Sequence, residues 1–163
     1  MEVGHFKKRM YRSFGQFWKD LSFLWKEKGK NIRAARRNLI LPAFRERLML
    51  EVSVVNGCRY CSYFHAKTAL KAGLSPEEIK SFLSGSASAS PQEEAVALLY
   101  AQHWAESGGE PEPEAVQRLF ETYGAEKAET IDGILRMITL GSLMGNTWDY
   151  FLHHIPLFKG EGD

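Results

Sequence analysis

The chain has 163 residues, 44% of them apolar and 25% charged, with a net charge of +1 and two cysteines. That is enough for one domain with a real core and too few for two comfortable ones; the composition excludes disordered and fibrous classes. No apolar run is long enough to span a bilayer, and "MEVGHFKKRM" has charges where a secretory signal needs an apolar stretch, so a cytoplasmic protein is expected.

Charge is unevenly spread. Residues 1–40 hold 11 Lys or Arg against 3 Asp or Glu, a balance of +8, and the rest hold 10 against 17, a balance of −7. A basic leading segment can signal nucleic acid or an anionic membrane. Here its aromatics recur at helical spacing, which favours a basic helix packed on acidic ones, with no nucleic-acid or membrane partner.

Taken in chain order, the elements read as helices. Phe6, Met10, Phe14, Phe17, Leu21, Leu24 and Trp25 form an aromatic stripe on a first helix, which Gly29 is expected to end. Leu41-Pro42 marks a break. A helix over about 43–55 closes at Asn56-Gly57, a pair suited to a left-handed cap. The next runs from near Cys58 to Ala72, stopped by Gly73. "LSPEEI" and "ASPQEEA" each read as a capping box, with Ser75 and Ser90 as N-caps, Pro76 and Pro91 at the first position, and Glu78 and Glu93 at the third. Residues 84–90 and 106–113 read as connectors. One helix ends at Tyr123 before Gly124, and the last covers about 125–153, with Gly133, Gly141 and Gly145 inside it. Glycines there weaken a helix, so close helix approach is expected at them. No strand alternation or repeat is present. The fold class is all-α, one domain of six to eight helices over 1–163: a basic, aromatic-rich segment over 1–40 and a core over 43–153.

The chemistry concentrates in "NGCRYCSYFHAK", residues 56–67, which holds both cysteines. Two cysteines cannot staple a domain of this size, and a cytosolic pair stays mostly reduced, so their spacing calls for a chemical reason. Cys58 falls at a helix start, where free N–H groups favour a thiolate. Cys61 is one turn on, with the Cα atoms about 5 Å apart, inside the disulfide window. His65 follows at i+4 from Cys61, on the same face. The three supply a nucleophile, a resolving thiol and a proton acceptor. Haem attachment would need His in place of Ser62. Two thiols and an imidazole are also three of four zinc ligands, the fourth coming from elsewhere. A buried structural pair is the remaining reading. A thioredoxin fold lacks its flanking strands. His103, His153 and His154, like Asn146, Trp148 and Asp149, read as structural residues of helix packing.

The stretch "FRERLMLEVSVVNGCRYCSYFHAKTALKAGLSPEEI" resembles the alkylhydroperoxidase D-like (AhpD-like) group of the carboxymuconolactone decarboxylase family. That signature is a glutamate, eleven residues, CxxC, three residues and a histidine; Glu46, Cys58, Cys61 and His65 fit it, and "LGSLMGNTWDYFL" is similar to the last core helix, more loosely. The resemblance implies an all-helical homo-oligomer, commonly a trimer or hexamer. It also implies a thiol-dependent peroxidase or disulfide reductase with no bound cofactor and no metal, in which Glu46, Cys58, Cys61 and His65 are catalytic. A hydroperoxide substrate and an external dithiol reductant are the partners. The alternative from another class is a non-enzymatic redox-sensing or zinc-binding assembly protein. The best-known hydroperoxidases of the group carry a second histidine between the cysteines, where this chain has Arg59 and Tyr60; the family's decarboxylases do not depend on the cysteine pair.

Simple geometry and family spacing differ on the carboxylate. An antiparallel turn at Asn56-Gly57 would set Glu51 opposite His65, each about 10 Å from the turn. Arg47, however, stands four residues before Glu51 and offers it a surface ion pair. Glu46 lies on an apolar stripe and needs a buried partner. Glu46 is therefore expected to serve His65. Position at the helix start favours Cys58 as the thiol that attacks first, and proximity to His65 favours Cys61, which is preferred.

Overall fold

A computed structural model describes residues 8–36, 38–86 and 90–154, with residues 27–36, 153 and 154 described as backbone alone. Phe6 lies outside these residues, as do the side chains of His153 and His154. The fold is all-α, as expected: α1 (Phe14–Arg36), α2 (Pro42–Val55), α3 (Arg59–Lys71), α4 (Pro76–Leu83), α5 (Ala95–Glu106), α6 (Pro113–Tyr123) and α7 (Ala125–His154), with a 3-10 turn over Gln92–Glu94 and, among the described residues, no strand.

Helix α2 is the hub. It packs against α3, α4, α5 and α7, and Phe44, Leu48, Met49, Leu50, Val52 and Val55 are all buried. A helix buried on most of its circumference needs apolar residues at nearly every position, which is how α2 reads. Around it stand Phe82, Trp104, Leu119, Ile131 and Leu135, also buried. Deleting one such side chain leaves a cavity and costs about 2–5 kcal/mol.

Most boundaries follow from the residues named above. Pro42 opens α2 after an extended Leu41. Gly57 (φ 64°) and Gly73 (φ 96°) take the left-handed backbone that stops α2 and α3. Ser75 Oγ accepts the Glu78 N–H at 3.1 Å and starts α4. The Glu78 carboxylate completes no capping box, however. It accepts from Arg47 Nε at 2.6 Å, and Glu94 takes Arg47 Nη1 at 3.0 Å. Arg47 thus ties α2 to α4 and to the 3-10 turn, and is not the partner of Glu51.

The second capping box is not formed. Ser90 Oγ has no hydrogen-bond partner, and a 3-10 turn precedes α5, which opens at Ala95. The turn sets Glu94 against Arg47, and that ion pair displaces the local cap. The first helix differs too. Ser13 Oγ accepts the Gln16 N–H at 3.2 Å and starts it, so residues 8–13, Met10 among them, form a non-helical strap before it. The helix runs through Gly29 to Arg36. One interior glycine costs a helix only about 1 kcal/mol, and α1 is held along its packing against α7. Part of the basic segment does meet acid: Lys8 is ion-paired with Asp149 on α7. Among the described residues, no helix is long and apolar enough to cross a membrane.

Candidate functional site

Cys58 is the N-cap of α3. Its extended backbone (φ −85°, ψ 96°) ends the Gly57 turn, and its Sγ accepts the N–H of Cys61 at 3.3 Å. That contact satisfies one of the orphan donors of the first turn and places the sulfur at the positive end of the helix. Cys58 and Cys61 are joined as a disulfide, with Cα atoms 5.3 Å apart, as the i, i+3 spacing predicts. Cys58 is fully buried, and Cys61 is partly exposed.

His65 stands one turn beyond Cys61. Its Nδ1 meets Glu46 Oε2 at 2.8 Å, across from α3 to α2, and the Glu46 side chain is almost wholly buried. Arg45 Nε donates to the other oxygen, Oε1, at 3.2 Å. A carboxylate acceptor at Nδ1 holds the proton there and leaves Nε2 free to accept one. The site therefore has Cys58, Cys61 and His65 on one helix and Glu46 brought in from another.

Glu51 is buried as well, but away from His65. Burial and the nearby Glu106 carboxylate push its pKa up to about 7. No surface pair with Arg47 forms, so the reason given for setting Glu51 aside is corrected, while the contact to His65 is made by Glu46. The antiparallel picture fails because the residue of α2 that meets His65 stands about a turn and a half further from the Asn56-Gly57 turn than Glu51 does.

Helix α7 closes the back of the site, and here composition and spacing gave little sign. A Cβ on Gly145 would lie 3.4 Å from Cys58 Sγ. Close approach thus accounts for this glycine; a Cβ on Gly141 would meet nothing within 4 Å. One residue on, Asn146 Nδ2 donates to the carbonyls of Asn56 (2.8 Å) and Arg9 (2.9 Å). The strap also donates Arg9 N–H to Asn56 O at 3.1 Å. Asp149, 3% exposed, accepts from Arg59 Nη2 and Tyr60 OH, each at 3.3 Å. Asn146 and Asp149 thus hold the turn that carries the cysteines, beyond the packing role expected of them. Trp148 is 65% exposed and packs no core. His103 lies on α5, paired with Glu112.

The model of the carboxymuconolactone decarboxylase family matches residues 24–103, a span that contains α2, α3 and all four signature residues. Over those 80 residues the chain is similar to the carboxymuconolactone decarboxylase family. This family includes decarboxylases and AhpD-like peroxidases. No curated protein and no solved structure gave a significant match. The match covers the hub helix and the cysteine helix, while the α7 residues that back the site lie outside it. Among the described residues, no group of three or more His, Cys, Asp or Glu side chains is placed to hold a metal ion.

Proposed function

We propose that this chain is an AhpD-like thiol peroxidase or disulfide oxidoreductase, with Cys58 and Cys61 as its redox pair and Glu46 and His65 as its proton relay. The observation that carries the reading is the disulfide one turn from an imidazole whose Nδ1 is held by a buried carboxylate at 2.8 Å. A merely structural pair does not need an oriented base beside it.

In the reduced enzyme, His65 Nε2 takes the Cys61 proton, directly or through water. The thiolate attacks the distal oxygen of a hydroperoxide; the O–O bond breaks, Cys61 becomes a sulfenic acid, and the departing alkoxide takes the proton from His65 to leave as an alcohol. Cys58 then attacks the Cys61 sulfur, the S–S bond forms and water leaves. An external dithiol reduces the disulfide by two successive exchanges and is itself oxidised. The partial exposure of Cys61 and the burial of Cys58 favour Cys61 as the attacking thiol. Tyr60 puts a phenol between the cysteines, where the best-known hydroperoxidases of the group carry a second imidazole.

The test is steady-state turnover of hydrogen peroxide and an organic hydroperoxide with dithiothreitol as the dithiol. Catalytic consumption that is lost in Cys61→Ser supports the reading; thiols that oxidise without turnover refute the peroxidase and leave a redox sensor. We also propose that the chain works as a homo-oligomer, because large aromatic side chains on α3 and α7, Tyr63, Phe64, Trp148 and Phe151, stand more than half exposed beside the site.

A further inference from the structure

We propose that Asp149 is a positioning residue that sets the redox equilibrium of Cys58 and Cys61, acting through the two residues between the cysteines. The inference rests on the thiol-redox reading above. Both intervening side chains, Arg59 and Tyr60, reach the same oxygen of this buried carboxylate at 3.3 Å. The other oxygen is ion-paired with Lys8 of the strap. A carboxylate this deep is uncommon, and it is retained here with its donors drawn from both sides of the cysteine turn.

Position in α7 ties this cluster to sulfur. Gly145 faces Cys58 Sγ, and Asp149 follows four residues later, about one turn or 6 Å along the same face. The carboxylate is therefore within about 10 Å of the sulfurs, close enough for its charge to act on them through protein. It faces Lys8 from the strap and Arg59 and Tyr60 from α3, while His65, one turn beyond Cys61 on α3, is held by Glu46 of α2.

A charge at that place acts unequally on the two redox states. The disulfide is neutral. On reduction it takes two electrons and two protons from an external dithiol, the S–S bond breaks, and the reduced pair has a share of thiolate. An anion beside it disfavours that thiolate, and a cation favours it. Asp149 supplies the anion and also keeps the Arg59 guanidinium on itself. Asp149 therefore biases the pair toward the disulfide, and Arg59 biases it toward the dithiol. The same contacts hold the first turn of α3 in place, so that Cys61 returns to Cys58 after oxidation.

The experiment equilibrates the whole chain in graded mixtures of reduced and oxidised dithiothreitol or glutathione and reads the disulfide fraction by thiol trapping and mass. Asp149→Asn is expected to shift the equilibrium toward the dithiol at least tenfold, about 30 mV. Arg59→Gln is expected to shift it toward the disulfide about threefold. An equilibrium left unmoved by Asp149→Asn, or shifts of the same sign in both variants, overturns the proposal. Arg59 is 65% exposed in its side chain, so Arg59→Gln keeps the fold and decides alone if Asp149→Asn does not fold: no move toward the disulfide overturns the proposal. A wild-type pair that never cycles between disulfide and dithiol overturns the thiol-redox reading itself, whereas a cycling wild type with indifferent variants overturns only the role of Asp149.

Discussion

Glu46 and Glu51 are both buried on α2, five residues apart, and their surroundings give them different work. Glu46 has an imidazole and a guanidinium within 3.2 Å. Glu51 has a carboxylate neighbour and little water, which raises its pKa from 4.5 to about 7. Glu46→Gln is expected to slow peroxide-driven thiol oxidation at least tenfold, about 1.4 kcal/mol of barrier, and stopped-flow thiol titration would show it. Glu51→Gln leaves that rate within about twofold and changes stability instead. Between pH 4.5 and about 7 the folded wild type binds more protons than the unfolded chain, so its stability falls as pH rises through that window. Above it the loss is complete and on the order of 3 kcal/mol. Denaturant unfolding at several pH values should show Glu51→Gln gaining on the wild type from pH 4.5 to 7 and then running parallel. Curves that run parallel throughout would show that Glu51 is not held protonated. That a carboxylate serves His65 was legible from the signature spacing. That Arg47 would leave Glu51 for Glu78 and Glu94 was not, because those partners are 31 and 47 residues away.

Helix ends and helix crossings separate what local sequence can and cannot decide. Ser75 and Ser90 stand in near-identical contexts, yet only Ser75 caps a helix. Ser75→Ala is expected to cost about 1 kcal/mol and Ser90→Ala only a few tenths, as thermal or denaturant unfolding would report. Equal losses would mean that the second cap forms after all. The α7 glycines make a similar pair. Gly141 has open space beside it, so Gly141→Ala should stabilise by about 0.5–1 kcal/mol from helix propensity alone. Gly145→Ala just fits against Cys58 Sγ at 3.4 Å, and a small net change is expected. Gly145→Val has no such room; it should push the cysteine turn away from α7 and slow disulfide closure, measurable as persistence of the sulfenic acid by mass. Rapid closure in that variant would show that α7 does not hold the turn.

At the scale of the molecule, the cysteine helix is braced on two sides and open on a third. Helix α2 supplies the carboxylate, α7 and the strap clamp the turn, and the outer face of α3 presents Tyr60, Tyr63 and Phe64 to solvent, 54–64% exposed. An apolar surface of this extent beside a redox pair is expected to be covered by another copy of the chain. Sedimentation at micromolar concentration should give a species well above the 18.5 kDa of one chain. Trp148→Glu, at 65% exposure in the monomer, should lower that mass without unfolding the bundle. A wild type sedimenting at 18.5 kDa would remove the oligomer and leave the aromatic face to some other partner.

The helical class, the span of α2, the cysteine pair and, through the family signature, the candidacy of Glu46 were all available to the sequence by itself. Each depends on local spacing: apolar residues along α2, Pro and Gly at its ends, i and i+3 for the cysteines, and a fixed eleven residues back to the glutamate. The tertiary structure alone decided that a non-helical strap precedes α1, that Glu46 and not Glu51 meets His65, and that α7 brings Asn146 and Asp149 against the cysteine turn. Those contacts join residues about 90 positions apart, such as Asp149 with Arg59 and Asn146 with Asn56. No local pattern marks them, because a buried polar residue is chosen for a partner that only packing brings within reach.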